Sequence, residues 1–193
     1  MPLDCPSDGM REVKLQSIKH QRPDAIKEMS LDQIMERYTA SFRDRDPDWK
    51  AFADSDIEGF KRAQHRFIGA GGSGKQDPKA IPAGGFTLSV MFIPPGQGGN
   101  AHTHEIEEVF FVLEGVMTVF IQDDQGNKVS KRLGKWDCIS CPAGVLHGFV
   151  NESVEPAYMM AMIGSGRPGP VGFVDDKIYA IEQEKLAKQA APA

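Results

Sequence analysis

The chain of 193 residues holds only five histidines, and three of them stand where chemistry is possible. His102-Thr-His104 puts two imidazoles two residues apart, which on a strand places both on the same side. Glu108 follows at an even spacing and shares that side if the strand stays regular. His147 comes after Pro142-Ala-Gly144, a tight-turn signal that opens a new strand, and a barrel can bring that strand beside the first. Three neutral imidazoles and one carboxylate suit a divalent transition metal (Fe, Mn, Ni, Cu or Zn) rather than calcium, which prefers an all-oxygen shell. Four protein ligands leave two positions of an octahedral ion open to substrate, water or dioxygen, unlike a closed structural site. A bare His-x-His pair is also common on exposed surfaces, so the residues around it decide.

Neighbouring positions sort by parity. Phe110 and Val112 share the side of Glu108 and are candidate pocket-lining residues; Met91 or Val90 and Met160 or Met162 are further candidates. Glu105 and Glu107 have the opposite parity and should face solvent. Cys138 and Cys141 form a C-x-x-C, but three residues apart on a strand they face opposite sides, which disfavours a disulfide or shared metal. His20 and His65 receive no function. Arg167, in a Gly/Pro-rich stretch, is expected at a barrel rim. The string Gly69-Ala-Gly71-Gly72-Ser-Gly74-Lys75-Gln76 mimics two phosphate loops. The P-loop needs Ser or Thr after the lysine, and here it is Gln76. Both loops also need a helix directly behind the glycines, which Pro78, Pro82, Gly84 and Gly85 forbid. A flexible connection is the expectation for residues 69–85.

The elements that must position these residues are short. Of 20 glycines and 13 prolines, 18 and 8 respectively lie between residues 69 and 172, and turn signals there recur at the spacing of an all-β sandwich or barrel. Alternating or apolar runs at Phe86–Ile93, Glu108–Leu113, Val116–Ile121, Lys135–Cys141, Gly148–Val150 and Ala157–Ile163 read as strands. Both faces of Glu108–Leu113 are apolar, so its outer face should be covered by a second sheet, the N-terminal helix or another subunit. Val13 and Leu15 suggest a short strand. Ser30–Phe42 reads as a helix with Ser30 and Gln33 as a capping box. Asp176–Ala190 reads as a short terminal helix. The expected organisation is an N-terminal extension over 1–68, the connection over 69–85, the barrel over 86–166 and a tail over 167–193.

A net charge of −5 argues against nucleic acid as a partner. The longest apolar run, Ala157–Ile163, is far short of a membrane span. The start Met-Pro-Leu-Asp-Cys-Pro lacks the apolar core of a secretory signal, and three cysteines without such a signal suit reduced thiols in the cytoplasm.

The wider pattern resembles the cupin superfamily. Its first motif, G-x5-H-x-H-x3,4-E-x6-G, is met by Gly96, His102, His104, Glu108 and Gly115. Its second, G-x5-7-P-x-G-x2-H-x3-N, is met by Gly134, Pro142, Gly144, His147 and Asn151. The short spacing between the motifs resembles compact bacterial cupins. The resemblance implies a small antiparallel barrel of jelly-roll type with a metal bound inside by His102, His104, Glu108 and His147, and a homodimer. It leaves three functions open. One is a metal-dependent dioxygenase-type oxidoreductase of a small organic substrate, in which Glu108 is also the catalytic proton acceptor. The others are a redox-neutral isomerase, lyase or decarboxylase, and a non-catalytic small-molecule-binding protein. Fold does not choose among them.

Overall fold

A computed structural model describes residues 22–190. Val13, Leu15 and His20 lie outside the described residues. The chain divides into two compact units between Arg37 and Tyr38.

In the first unit, helix α1 spans Leu31–Arg37. Its start is the expected capping box: Gln33 N–H donates to Ser30 Oγ (3.1 Å) and Ser30 N–H to Gln33 Oε1 (2.8 Å). It ends earlier than the Ser30–Phe42 expectation. Thr39 and Ser41 are residues that favour local backbone bonding over helix, and Phe42–Asp44 forms a separate 3-10 turn.

The second unit is built on ten strands in two antiparallel five-stranded sheets. The strands are β1 (Ala63–Ile68), β2 (Thr87–Ile93), β3 (Gly98–Thr103), β4 (Glu108–Glu114), β5 (Met117–Gln122), β6 (Lys128–Leu133), β7 (Cys138–Cys141), β8 (Leu146–Val150), β9 (Ala157–Ile163) and β10 (Gly172–Phe173). The first sheet runs β1-β2-β9-β4-β7 and the second β10-β3-β8-β5-β6. Helix α2 spans Asp176–Ala190, as the sequence reading expects. This is the all-β jelly-roll barrel. No helix among the described residues is long and apolar enough to cross a membrane.

The core lies between the sheets. Met91, Ile93, Phe110, Val112, Met117 and Met159 are all nearly inaccessible there, and burial of such side chains supplies the main driving force, about 1.5–3 kcal/mol each. Strands β4 and β9 alternate buried and half-buried residues along their length. On β9 the inward residues are Met159 and Ala161, so Met160 and Met162 are corrected to the outer face. On β2 the inward residues are Thr87, Ser89, Met91 and Ile93, so Met91 faces in rather than Val90. The more apolar face of β2 therefore looks outward, where Phe92 packs on Trp49 and Tyr158. Phe42 covers the same sheet by its contacts with His65, Phe67 and Tyr158.

The sheets reach beyond residues 86–166. β1 pairs with β2 along its length, and β10 pairs with β3 at Thr103 and His102. β1 reads as polar, Ala-Gln-His-Arg-Phe-Ile, because Gln64 and Arg66 are buried with hydrogen bonds to Ser89, Ala70 O and Ser73. The Gly69–Gly74 segment is packed as well: Gly71 and Ser73 are buried, and Ser73 Oγ both donates to Ala70 O and accepts from Arg66. The flexible-connection expectation is corrected there. Residues 74–82 contain no α-helix, in keeping with the failed phosphate motifs. β6, Lys-Val-Ser-Lys-Arg-Leu, is exposed up to Leu133, an edge strand whose lysines and arginine discourage pairing with other chains. Its charge hides it from an apolar-run reading.

Candidate metal centre

The four expected ligands come from both sheets. His102 is on β3 and directly faces His147 on β8. His104 lies one residue past the end of β3. Glu108 does not share their strand: the chain leaves the sheet after Thr103, and Glu108 opens β4 in the opposite sheet. The carboxylate thus meets the imidazoles from across the core rather than by strand parity. Glu105 and Glu107, on the corner between, are exposed, and Ser140 Oγ donates to Glu107 Oε1.

Two turns aim the ligands. Gly144 has φ +78°, the left-handed region that an L side chain enters only at a cost, and its N–H donates to His104 O at 2.9 Å. One turn thereby fixes His104 and launches β8 with His147. Gly115, at φ +82°, reverses the chain between β4 and β5 where an added β-carbon would collide with Pro156 O and Ala157. Asn151 anchors the far end of β8. It is fully buried, its Nδ2 donates to Ile93 O and Glu155 O, and its Oδ1 accepts from Ser153 N–H and Oγ–H.

The Nε2 atoms of His102, His104 and His147 lie 3.3, 3.2 and 3.0 Å from Glu108 Oε2. All four ligand atoms fall within 4.8 Å of one another, and all four residues are buried. His102 Nδ1–H donates to Asn100 O (2.7 Å) and His147 Nδ1–H to Val145 O (2.8 Å). A carbonyl can only accept, so these bonds fix the proton on Nδ1 and leave each Nε2 a lone pair. Lone pairs are then aimed at a carboxylate oxygen that is also an acceptor. Such a set is repulsive unless a cation sits among them, and pinning Nδ1 on a backbone carbonyl is how ligating histidines are oriented. The donor chemistry therefore fits a divalent transition metal.

Without that ion a proton takes its place. Burial pushes His147 down, but hydrogen bonds that Cys141 and Glu108 accept from the imidazolium outweigh it and lift the imidazole to about 10. Burial also pushes His102 down, and there it prevails over Glu108. Glu108 would be raised by burial, yet the three imidazoles hold its carboxyl well below its usual range. Cys141, buried opposite Glu108 on β7, is a neighbour that strand parity alone did not assign. Cys138 is exposed and both thiols are free, as the opposite-face reading requires.

The site opens on a cavity of about 40 Å3, room for roughly three water-sized groups. His102, His104, Glu108 and Phe110 form one side of it. Val112 is fully buried in the core and is not part of the wall, because β4 carries it a further two residues from the mouth. Much of the rest of the wall comes from outside residues 86–166: Phe52, Arg62 and Gln64 before, and Val171, Phe173 and Glu182 after. None of these was singled out in the sequence. Arg167 is exposed and takes no part in the wall. His65 stacks on Phe42 and bonds Val90 O on the outer side of the first sheet.

Residues 89–163 match the family model described as the cupin domain. Among curated proteins the chain is similar to a probable germin-like protein of subfamily 2 from Arabidopsis thaliana, 30% identical over 105 residues that cover 54% of this chain and 49% of that one. It is also similar to the rhicadhesin receptor of Pisum sativum, 30% identical over 90 residues, 46% of this chain and 42% of the receptor. The chain thus spans about half or less of the length of the curated relatives it matches. Among solved structures it resembles the polyketide cyclase RemF from Streptomyces resistomycificus (TM-score 0.55, 23% identity, covering 75% of this chain and 92% of that one). An oxalate oxidase is similar at TM-score 0.54 and 16% identity, covering 90% and 75%. At these identities the likeness to solved structures is one of fold. With both motifs matched, their four ligand positions converging inside the barrel, and the family match over its strands, residues 89–163 of this chain are a cupin domain.

Proposed function

We propose that this cupin is a metal-dependent oxidoreductase of dioxygenase type, acting on a small organic substrate. The observation that supports this most is the acceptor-only cluster at the floor of a largely apolar cavity. His102, His104, Glu108 and His147 would hold the ion, and a bound Fe or Mn would supply one-electron chemistry between an organic substrate and dioxygen. The protein's own part is threefold. The backbone carbonyls of Asn100 and Val145 orient two imidazoles. Phe110 and Phe149 line the apolar wall that keeps bulk water from the reacting atoms. Glu108, loosened from the ion, would take a proton from a substrate hydroxyl on its carboxylate. A cytoplasmic setting is part of this reading. A homodimer through the outer face of the first sheet belongs to the same reading, supported by Trp136, which stands exposed beside half-buried Phe111.

The test is anaerobic loading with Fe(II) or Mn(II), followed by oxygen-uptake measurements with catechols, flavonols, hydroxy acids and thiols. Uptake with one class, abolished by Glu108→Ala, is expected. Full metal occupancy with no uptake across the panel, or turnover with Zn(II) that ignores oxygen, would overturn it in favour of redox-neutral chemistry.

A further inference from the structure

The cavity wall opposite the imidazoles carries a second carboxyl group. Glu182 sits on α2, is only 6% exposed, and lines the same cavity as His102, His104 and Glu108. Among the described residues it makes no hydrogen bond and no ion pair. Its placement is held from both ends. Asp175 Oδ1 accepts from Lys177 N–H and Ile178 N–H at the helix start, and Ile178 is 1% exposed. One turn after Glu182, Lys185 Nζ donates to Ala51 O rather than to the carboxylate. Burial raises the Glu182 carboxyl, Asp54 raises it further, and Lys185 and His104 pull the other way. A buried carboxylate with no partner is costly, and nothing in the packing repays it.

The other polar groups of the wall point the same way. Gln64 spends its Nε2 on Ser89 Oγ (3.3 Å), which leaves its buried Oε1 without a partner. Arg62 is the wall's one guanidinium, and its charge is taken by Asp54 at 2.9 Å, with Phe60 O and Gly98 O accepting from the same nitrogen. Its buried Nε has no partner. Three lining residues thus keep unpaired buried polar groups, and the wall's one guanidinium is already compensated. A divalent ion is matched in charge by Glu108 and Glu182 alone, so each further negative charge on a ligand stays uncompensated in a buried space.

We propose that Glu182 is a substrate-binding residue that accepts a hydrogen bond from a hydroxyl of the ligand, so that the substrate is a small hydroxylated molecule with at most one negative charge and not a dicarboxylate. A hydroxyl fits because it can donate to the unpaired Glu182 carboxylate, which a second carboxylate cannot. This rests on the metal reading above, since the ligand's other end must be held at the imidazoles.

The experiment uses the full chain loaded with Mn(II). Glycolate, with one carboxylate and one hydroxyl, and oxalate, with two carboxylates, are titrated calorimetrically into wild type, Glu182→Gln and Glu182→Ala, with metal content checked after each titration. Removing the charge is expected to tighten oxalate at least fivefold and to weaken glycolate at least threefold, inverting their relative preference, with Mn(II) stoichiometry unchanged. Glu182→Gln is also expected to melt at a higher temperature than wild type in the absence of metal and ligand, because an uncompensated buried charge is gone. Glycolate and oxalate shifting together, or neither shifting, would overturn the role of Glu182 while leaving the metal site standing. If wild type takes up no Mn(II), the metal reading falls and this assignment falls with it.

Discussion

Two regions build the cavity, and they differ in kind. The barrel wall within residues 89–163 supplies His102, His104, Glu108 and the aromatic rings of Phe110 and Phe149. The flanking segments supply Arg62, Gln64 and Glu182, polar groups buried with bonds still unmade. In the wall the bonded polar atoms mostly orient the ligands: Nδ1 of His102 and His147 on carbonyls and Gly144 N–H on His104 O, with the buried Thr103 hydroxyl the exception. In the flanks polar capacity is left over. Vacant capacity in a buried wall marks where a variable ligand is expected, whereas a saturated network marks a fixed one. The same barrel can therefore keep its metal chemistry while its flanks change the substrate.

The sharpest way to break this contrast is to delete a ligand. His147→Ala should lower metal affinity by more than ~100-fold, since even an outer-shell partner is worth ~10–100-fold. Metal content after dialysis checks it. Retention of a full equivalent by His147→Ala would mean that the ion sits elsewhere. Next comes the ion pair that roots the flank. Asp54 is fully buried against Arg62, so Asp54→Ala leaves a buried guanidinium uncompensated and should cost about 3–5 kcal/mol in denaturant unfolding. The same variant should still bind one equivalent of metal under native conditions, because the ligand set does not touch Asp54.

A third measurement concerns protons. In the metal-free protein His147 is lifted from its ordinary 6.5 to about 10. The raised value means that its charge stabilises the metal-free fold fully below pH 6.5, and that this contribution fades as pH rises toward 10. The same proton must leave before Nε2 can ligate. Metal affinity should accordingly rise with pH, by about tenfold per unit where one proton is displaced. Calorimetry in buffers of different ionisation enthalpy should count about one proton released per ion. Affinity independent of pH between 6 and 9 would show that the cluster is already deprotonated, against the bonding from Cys141 and Glu108.

The contrast also explains what the sequence could and could not disclose. His102, His104, Glu108 and His147 were legible because the barrel fixes their spacing along the chain, and local spacing survives in a string of letters. The route of Glu108 was not: parity on one strand gave the right residue by the wrong path, since the corner at 104–107 carries it to the other sheet. Glu182 lies 74 positions after Glu108, and no periodicity links a helix residue to a barrel interior that only tertiary packing brings near. β1 and β6 were hidden by composition. Their arginines, lysines and glutamine read as surface, yet in β1 Arg66 bonds Asp48, Ser73 and Ala70 O in the interior. Asp54 is likewise an acid spent in the interior, as the partner of a buried arginine.

The smallest expected effect tests whether the two regions are separate at all. Asp175 caps α2 by accepting from two backbone N–H groups, and Asp175→Ala should cost about 1 kcal/mol, the usual value of an N-cap. If the flank is a distinct unit, that loss is confined to it. Backbone amides over 176–186 should then exchange with solvent about fivefold faster, as ~1 kcal/mol implies, while those of β3, β4 and β8 keep their protection. Metal stoichiometry would be unchanged, and the Glu182 position, loosened with its helix, would discriminate glycolate from oxalate less well. If instead the barrel amides lose protection in step with α2, flank and wall open together as one cooperative unit. The cavity could not then change its ligand wall without taxing its metal site, and the division of labour drawn here would fail at its smallest measurable step.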